Sequence, residues 1–195
     1  DRALEAATQQ FWSVGYEATS LQDLLKSMRL SKSSLYQTFG NKHALFVRCI
    51  EHYQQTMVGE LQQRLANSSS ARHFVMAFLD DVISEAVANK GKNTPRRKGC
   101  FLVNTVNELC QRDDGIAKAV NDGTNNLANV FAQTIEMGKQ KKEIRADVST
   151  GHLVNYFMTA LSGLRTMVKT GVNKRELMPV VKLITETIFF KSEFN

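Results

Sequence analysis

The stretch Thr19–Lys42, TSLQDLLKSMRLSKSSLYQTFGNK, decides how the rest of the chain is read. Leu21, Leu24, Leu25 and Met28 recur at i, i+3, i+4 and i+7, the apolar stripe of a short helix. Thr19 or Ser20 can cap that helix by accepting a backbone N–H bond. Arg29 and Leu30 make a break, and Ser31 caps a second helix. In it only Leu35 and Phe39 point inward, four apart on one face. Ser33 and Gln37 lie opposite them, with Ser34 and Tyr36 on the flanks. Gly40 ends this helix in the left-handed conformation at C′. Asn41 caps a third, whose free N–H groups and positive dipole end can hold a phosphate, with Lys42 adding its charge.

Two helices across a tight turn, the second showing hydroxyls, an amide and a phenol outward, form the pattern of a helix-turn-helix that enters the DNA major groove. Hydroxyls and Gln bond base edges or phosphates, and Gln37 suits a bidentate pair with adenine. An ordinary helical hairpin with a solvated polar face gives the same local pattern, so the helix pair alone leaves both readings open.

A longer match separates them. The pieces are Ala6–Ala7, Phe11, Gly15–Tyr16, Ala18–Thr19–Ser20, the run Leu30 to Lys42, and Ala44–Leu45–Phe46. At this spacing residues 3–46 resemble the DNA-binding domain of TetR/AcrR-type transcriptional regulators. The whole chain reads as all-α, about nine helices and no strands, and the resemblance implies a three-helix DNA reader followed by a helical remainder. It would have a helix-turn-helix domain over residues 1–46 and a helical ligand-binding and dimerisation domain over 47–195. It also implies DNA contacts from Thr19, Ser31, Lys32, Ser33, Ser34, Tyr36, Gln37 and Lys42, with Ser20 beside them. Gln37–Thr38 stands where a His pair is frequent in the family, which leaves the preferred operator sequence open.

Composition agrees with a globular chain. Of 195 residues, 43% are hydrophobic and 23% charged, enough for one large or two small domains. The net charge of +6 suits a polyanionic partner. Residues 1–48 nevertheless carry only Arg2, Lys26, Arg29, Lys32, Lys42 and Arg48 against Asp1, Glu5, Glu17 and Asp23. Geometry, not bulk charge, therefore carries the DNA reading. No apolar run approaches the roughly 20 residues of a spanning helix, and no signal peptide is visible. Cytoplasm is the expected location. The chain begins at Asp1, not Met, so further residues are expected ahead of it, which leaves room for a basic arm.

No catalytic constellation, metal site or cofactor is expected. Cys49, Cys100 and Cys110 are odd in number and lack metal spacing. No CxxC, HExxH, GxGxxG or Walker loop occurs, and His43, His52, His73 and His152 are scattered.

In chain order, Leu4, Ala7, Phe11 and Val14 give a first helix a buried stripe, and Gly15 stops it. Trp12 reads as a core-edge residue in preference to one stacking on a base. The helix from Asn41 continues through Phe46, Ile50, Tyr53, Met57, Leu61 and Leu65 to about Ala66, a rod of nearly 40 Å at ~1.5 Å per residue. Asn67–Ser70 links to a helix over about 71–89. Lys90–Lys98, with Gly, Pro and five cations, reads as a solvated loop. A helix over about 99–112 is apolar round much of its circumference, with Asn104, Asn107 and Glu108 embedded and in need of partners. A long helix over 114–141, closed by Gly138 and lysines, precedes two amphipathic helices at about 150–170 and 174–191.

Those last two helices have more apolar face than a monomer buries, and the resemblance implies that they dimerise as a four-helix bundle. The operator would then be a pseudo-palindromic double-stranded DNA. A small-molecule inducer, unidentified, would lie among Phe78, Asn104, Glu108, Phe131 and Tyr156. Cys100, in the first turn of its helix and near Arg97 and Lys98, is an alternative redox switch. A helical binding protein without DNA function is the third reading.

Overall fold

The computed structural model describes residues 2–84 and 99–189. Among them the chain forms α1 (Arg2–Val14), α2 (Leu21–Met28), α3 (Lys32–Phe39), α4 (Lys42–Ala66), α5 (Ala71–Ser84), α6 (Phe101–Leu109), α7 (Asp114–Gln140), α8 (Thr150–Thr170) and α9 (Lys174–Ile188). The only extended pairing among the described residues is an isolated antiparallel bridge between Ile144 and Phe189. The cationic loop at Lys90–Lys98 and the expected helix beyond Ser84 lie outside the described residues, as does the chain after Phe189.

Two compact units emerge: residues 1–57 with 100–126, and residues 58–99 with 127–195. In the first, Phe11, Leu24, Leu35, Leu45, Phe46, Ile50, Phe101 and Ile116 are buried in one core. Aromatic rings organise it. Phe46 meets Phe11 at 4.8 Å and Phe101 at 5.6 Å between centroids, both edge to face. Trp12 sits at the rim of this core, 5.2 Å from Tyr53. The Gln54 side chain on α4 donates to the Ala119 carbonyl on α7 at 2.7 Å. A Cβ at Gly123 would overlap that carboxamide, so glycine is what lets α4 and α7 lie this close.

The second unit has a cluster of phenylalanines at its centre among buried aliphatic residues such as Leu79, Ile83 and Leu161. Phe131 lies 4.3 Å from Phe157, 5.1 Å from Phe78 and 6.1 Å from Phe74, with α5, α8 and α9 packed around them. Gly138 is an interior position of α7, not its stop. A Cβ there would lie 2.6 Å from Ile144 Cδ1 and 2.9 Å from Ala71 Cβ. The lysines do close the helix region: Lys139 Nζ donates to the Val148 carbonyl at 2.8 Å and Lys141 Nζ to that of Ser69 at 2.6 Å.

Several expected stripes are narrower than the sequence suggested. Val14 is exposed because α1 ends there and the chain turns away at Gly15. Val106 and Asn107 are exposed, so α6 has a wet face. Val180 is exposed on α9, whose buried stripe is Leu177, Val181, Ile184 and Ile188.

Candidate nucleic-acid interface

Local capping builds the reading head. Ser20, extended at φ −79° and ψ 161°, accepts from Asp23 N–H at 3.1 Å, and Asp23 Oδ2 accepts from Ser20 N–H at 3.0 Å. This reciprocal pair satisfies two donors that a helix end leaves open. The Ser20 hydroxyl, donating to the same Asp23 oxygen at 2.6 Å, and then the Ser20 N–H hold the Asp23 carboxyl below the usual carboxylate range. Arg29 ends α2 in the left-handed region at φ 53°, and its N–H donates to Leu25. Ser31 then caps α3, accepting from Ser34 N–H at 3.1 Å. On α3, Leu35 is fully buried and Phe39 partly so, whereas Lys32, Ser33, Tyr36, Gln37 and Thr38 are exposed. Ser34 is half-buried with its hydroxyl 2.8 Å from that of Ser31.

Gly40 departs from the expected left-handed cap. At φ 82° and ψ −67°, with Asn41 N–H 3.1 Å from the Phe39 carbonyl, it is the centre of a γ-turn of the strained hand. Asn41 Oδ1 accepts from Ala44 N–H at 2.8 Å and so caps α4. Lys42 follows, half-buried, with its ammonium 4.4 Å from the centre of the Tyr16 ring. That ring rests on Phe46 at 4.8 Å and Phe11 at 5.9 Å. Burial, with Glu17 and Asp113 adding to it, raises the Tyr16 pKa and keeps it a neutral phenol.

Thr19 corrects the reading that gave it a phosphate contact. It is fully buried, and its hydroxyl donates to the Gly15 carbonyl at 2.6 Å, bracing the α1–α2 turn from inside. The outside of that turn is held from α6. Glu108 accepts from the backbone N–H groups of Tyr16, at 3.2 Å to Oε2, and of Glu17, at 2.9 Å to Oε1. Gly15 stands at φ 94°, and a Cβ there would lie 3.1 Å from both Glu108 oxygens. Just beyond α6, Asp113 Oδ2 is 2.8 Å from His43 Nε2, next to Lys42. Asp113 Oδ1 also accepts from Ile116 N–H at 2.9 Å, and these bonds lower its pKa.

Glu108, expected beside a ligand, has both its oxygens on the head instead. Its half-buried position among apolar residues was a readable sign that it needs donors, but the donors lie 92 and 91 residues away. Asn104 lies half-buried on the same helix in the first unit. Phe78, Phe131 and Tyr156 belong to the second. Phe78 and Phe131 are buried against each other, and the half-exposed Tyr156 hydroxyl lies 3.3 Å from that of Thr187. A separate cavity of about 310 Å³ opens between Gln63, Arg64, Asn67, His73 and Phe74.

Cys100 is not in the first turn of α6 but is its N-cap residue, buried, with Sγ 4.0 Å from the Tyr53 hydroxyl. Arg97 and Lys98, invoked to activate it, lie outside the described residues. Burial pushes the Cys49 thiol up to about 12 and raises that of Cys110. Among the described residues no group of three His, Cys, Asp or Glu could hold a metal, and no helix is long and apolar enough to cross a membrane.

Comparison with known proteins agrees with this geometry. Residues 3–49 match the family model described as bacterial regulatory proteins, tetR family, and residues 75–181 match the tetracyclin repressor-like C-terminal domain. The chain is 27% identical over 182 residues to the HTH-type transcriptional repressor ComR of Escherichia coli, covering 92% of this chain and 84% of that one. It is also 27% identical over 175 residues to the HTH-type transcriptional regulator YezE of Bacillus subtilis, covering 89% and 88%. A cysteine mutant of the regulator CifR, solved with a 26-bp double-strand operator DNA, superposes with a TM-score of 0.77 at 26% identity over 95% of this chain and 96% of that one. The reduced form of E. coli NemR shares the fold, with a TM-score of 0.85 at 17% identity over 98% and 97%. The capped helix pair, the exposed polar face of α3 and both family matches lead to one conclusion: the chain belongs to the tetR family of bacterial regulatory proteins and is a DNA-binding transcriptional regulator.

Proposed function

We propose that this regulator is a homodimeric cytoplasmic repressor, released from a pseudo-palindromic operator by a small molecule. The observation that carries the DNA half is the outer face of α3. Leu35 anchors the helix while Lys32, Ser33, Tyr36 and Gln37 stay exposed, with Lys42 at the start of the next helix. In this reading Ser33, Ser34, Tyr36 and Gln37 face the groove, and Ser20, Ser31, Lys32 and Lys42 face phosphates. Residues 1–46 would form the reader, and 47–195 the signal-binding and dimerising part. That CifR binds operator DNA and ComR is a repressor supports the same role here.

Dimerisation through α8 and α9 is supported by what their outer faces display. Tyr156 and Met167 on α8, and Met178, Val180 and Leu183 on α9, are exposed. Ser162 and Gly163 lie between them, and a Cβ at Gly163 would meet nothing within 4 Å. Covering these residues with the same face of a second copy removes apolar surface from water at a two-fold axis. The inducer would be aromatic or amphipathic, taken by the phenylalanine-lined second unit near Phe78 and Phe131. It must bind the DNA-incompetent state of the dimer better than the competent one, or it shifts nothing.

Operator binding tests the proposal. Tyr36→Ala and Lys42→Ala proteins, folded by circular dichroism, should bind an operator more weakly than the unmodified protein. Parent-like binding by both would overturn the DNA assignment, and a monomeric mass in light scattering at micromolar concentration would overturn the dimer.

A further inference from the structure

Glu108 uses both carboxylate oxygens on a turn 92 and 91 residues away in sequence. Two backbone N–H groups converging on one anion form a charge-assisted nest. The turn is also held by Gly15 N–H on the Phe11 carbonyl at 2.8 Å, the Thr19 hydroxyl on the Gly15 carbonyl, and Thr19 N–H on the Tyr16 carbonyl at 3.3 Å, but the Tyr16 and Glu17 N–H groups are taken by Glu108. Tyr16 is the residue in this turn whose ring lies under the Lys42 ammonium. The nest fixes the backbone that carries this ring, Phe46 and Phe11 pack against the ring itself, and the ammonium lies over it. Asp113, just past α6, holds His43 beside Lys42 from the other side. The α6–α7 corner thus touches both neighbours of one cation.

We propose that Glu108 is a positioning residue for DNA binding: it fixes the α1–α2 turn so that the Tyr16 ring holds the Lys42 ammonium in place for a DNA phosphate. The inference rests on the reading that Lys42 meets a phosphate. Glu108 itself touches no DNA. It is a negative charge that strengthens binding to a polyanion, because removing it frees the cation. Simple electrostatics predicts the opposite sign, since deleting a carboxylate near DNA should tighten binding and leave the contacts intact.

The test uses the full chain and a duplex enriched from a random-sequence pool by the unmodified protein. Glu108→Gln keeps the shape but can accept from only one N–H, with its own NH2 facing the other. It should lower affinity about tenfold. It should also reduce the slope of log affinity against log salt by about one, the signature of one lost phosphate contact. Lys42→Ala should give the same slope change, and Glu108→Gln should add little on top of it. If the glutamine variant unfolds the head, Glu108→Asp, which keeps the charge but draws it back by one methylene, carries the same readouts. A Glu108 variant that binds as tightly as the parent, or loses affinity at unchanged slope, or loses equally with and without Lys42, overturns the inference while leaving the DNA assignment standing. If Lys42→Ala alone changes neither affinity nor slope, the phosphate reading of Lys42 fails and this inference fails with it.

Discussion

α2 and α3 are both eight residues long and sit on either side of one turn, yet they are held in opposite ways. α2 buries Leu24 and Met28, carries the reciprocal Ser20–Asp23 cap, and ends on the left-handed Arg29. α3 buries Leu35 alone, has a one-way Ser31 cap, and has no acidic residue in its first turn. The difference follows from what each helix has to leave uncovered. A helix that must present Ser33, Tyr36 and Gln37 to another molecule cannot spend those positions on its own core, so one leucine and its neighbours carry it. The reading helix is the less secured of the two because its outward face is committed elsewhere.

Breaking the comparison at its strongest point means removing that leucine. Leu35→Ala should cost about 2–5 kcal/mol of stability in chemical denaturation, since the site is fully enclosed and relaxes only partly. Gln37→Ala should cost about 1–3 kcal/mol of operator affinity at one base-pair position while leaving denaturation unchanged. Equal loss across all sequences would reduce Gln37 to a phosphate contact. Cap removal sharpens the contrast. Ser20→Ala should cost about 1 kcal/mol, and Ser31→Ala less, because the Ser20 hydroxyl also donates to its partner's carboxylate whereas that of Ser31 meets only the Ser34 hydroxyl. A larger cost at Ser31 than at Ser20 would mean that α3 relies on its cap more than α2 does.

The smallest effect depends on acid. Asp23 has its folded pKa lowered by the Ser20 hydrogen bonds. A lowered folded pKa contributes stability that is present above the unfolded value near 3.9 and is lost as pH falls through the folded one. The protection of α2 amides, taken against their intrinsic exchange at each pH, should therefore fall below about pH 4, while α3, without an acid in its first turn, keeps its own. Parallel loss in both helices would show that the acid effect is global.

What the sequence made legible was short-range. Ser20, Ser31 and Asn41 each bond a backbone N–H three residues ahead, so a cap can be read from a window of four. The apolar periods of α2 and α8 also survive because each helix buries one stripe within its own unit. The features missed join distant positions. Nothing near Glu108 in sequence says that its donors are Tyr16 and Glu17, and Thr19 reads as a polar surface residue until the turn closes over it. Val14 fails for a different reason: the helical period continues in the letters, but the chain leaves that helix at Gly15.

The turn at Gly40 raises a question of handedness. Its φ of 82° and ψ of −67° are the mirror image of the relaxed inverse γ-turn, and a Cβ there would meet no atom within 4 Å. The obstacle to a side chain at this position is therefore chirality and not space. An L-alanine would sit in the strained form, whereas a D-alanine introduced by chemical ligation would rest in its own energy minimum. It would also remove freedom from the unfolded chain that glycine leaves available, a gain of about 0.4–1 kcal/mol. Between the reading helix and the long helix that follows it, this protein uses an achiral residue where a right-handed amino acid would serve better.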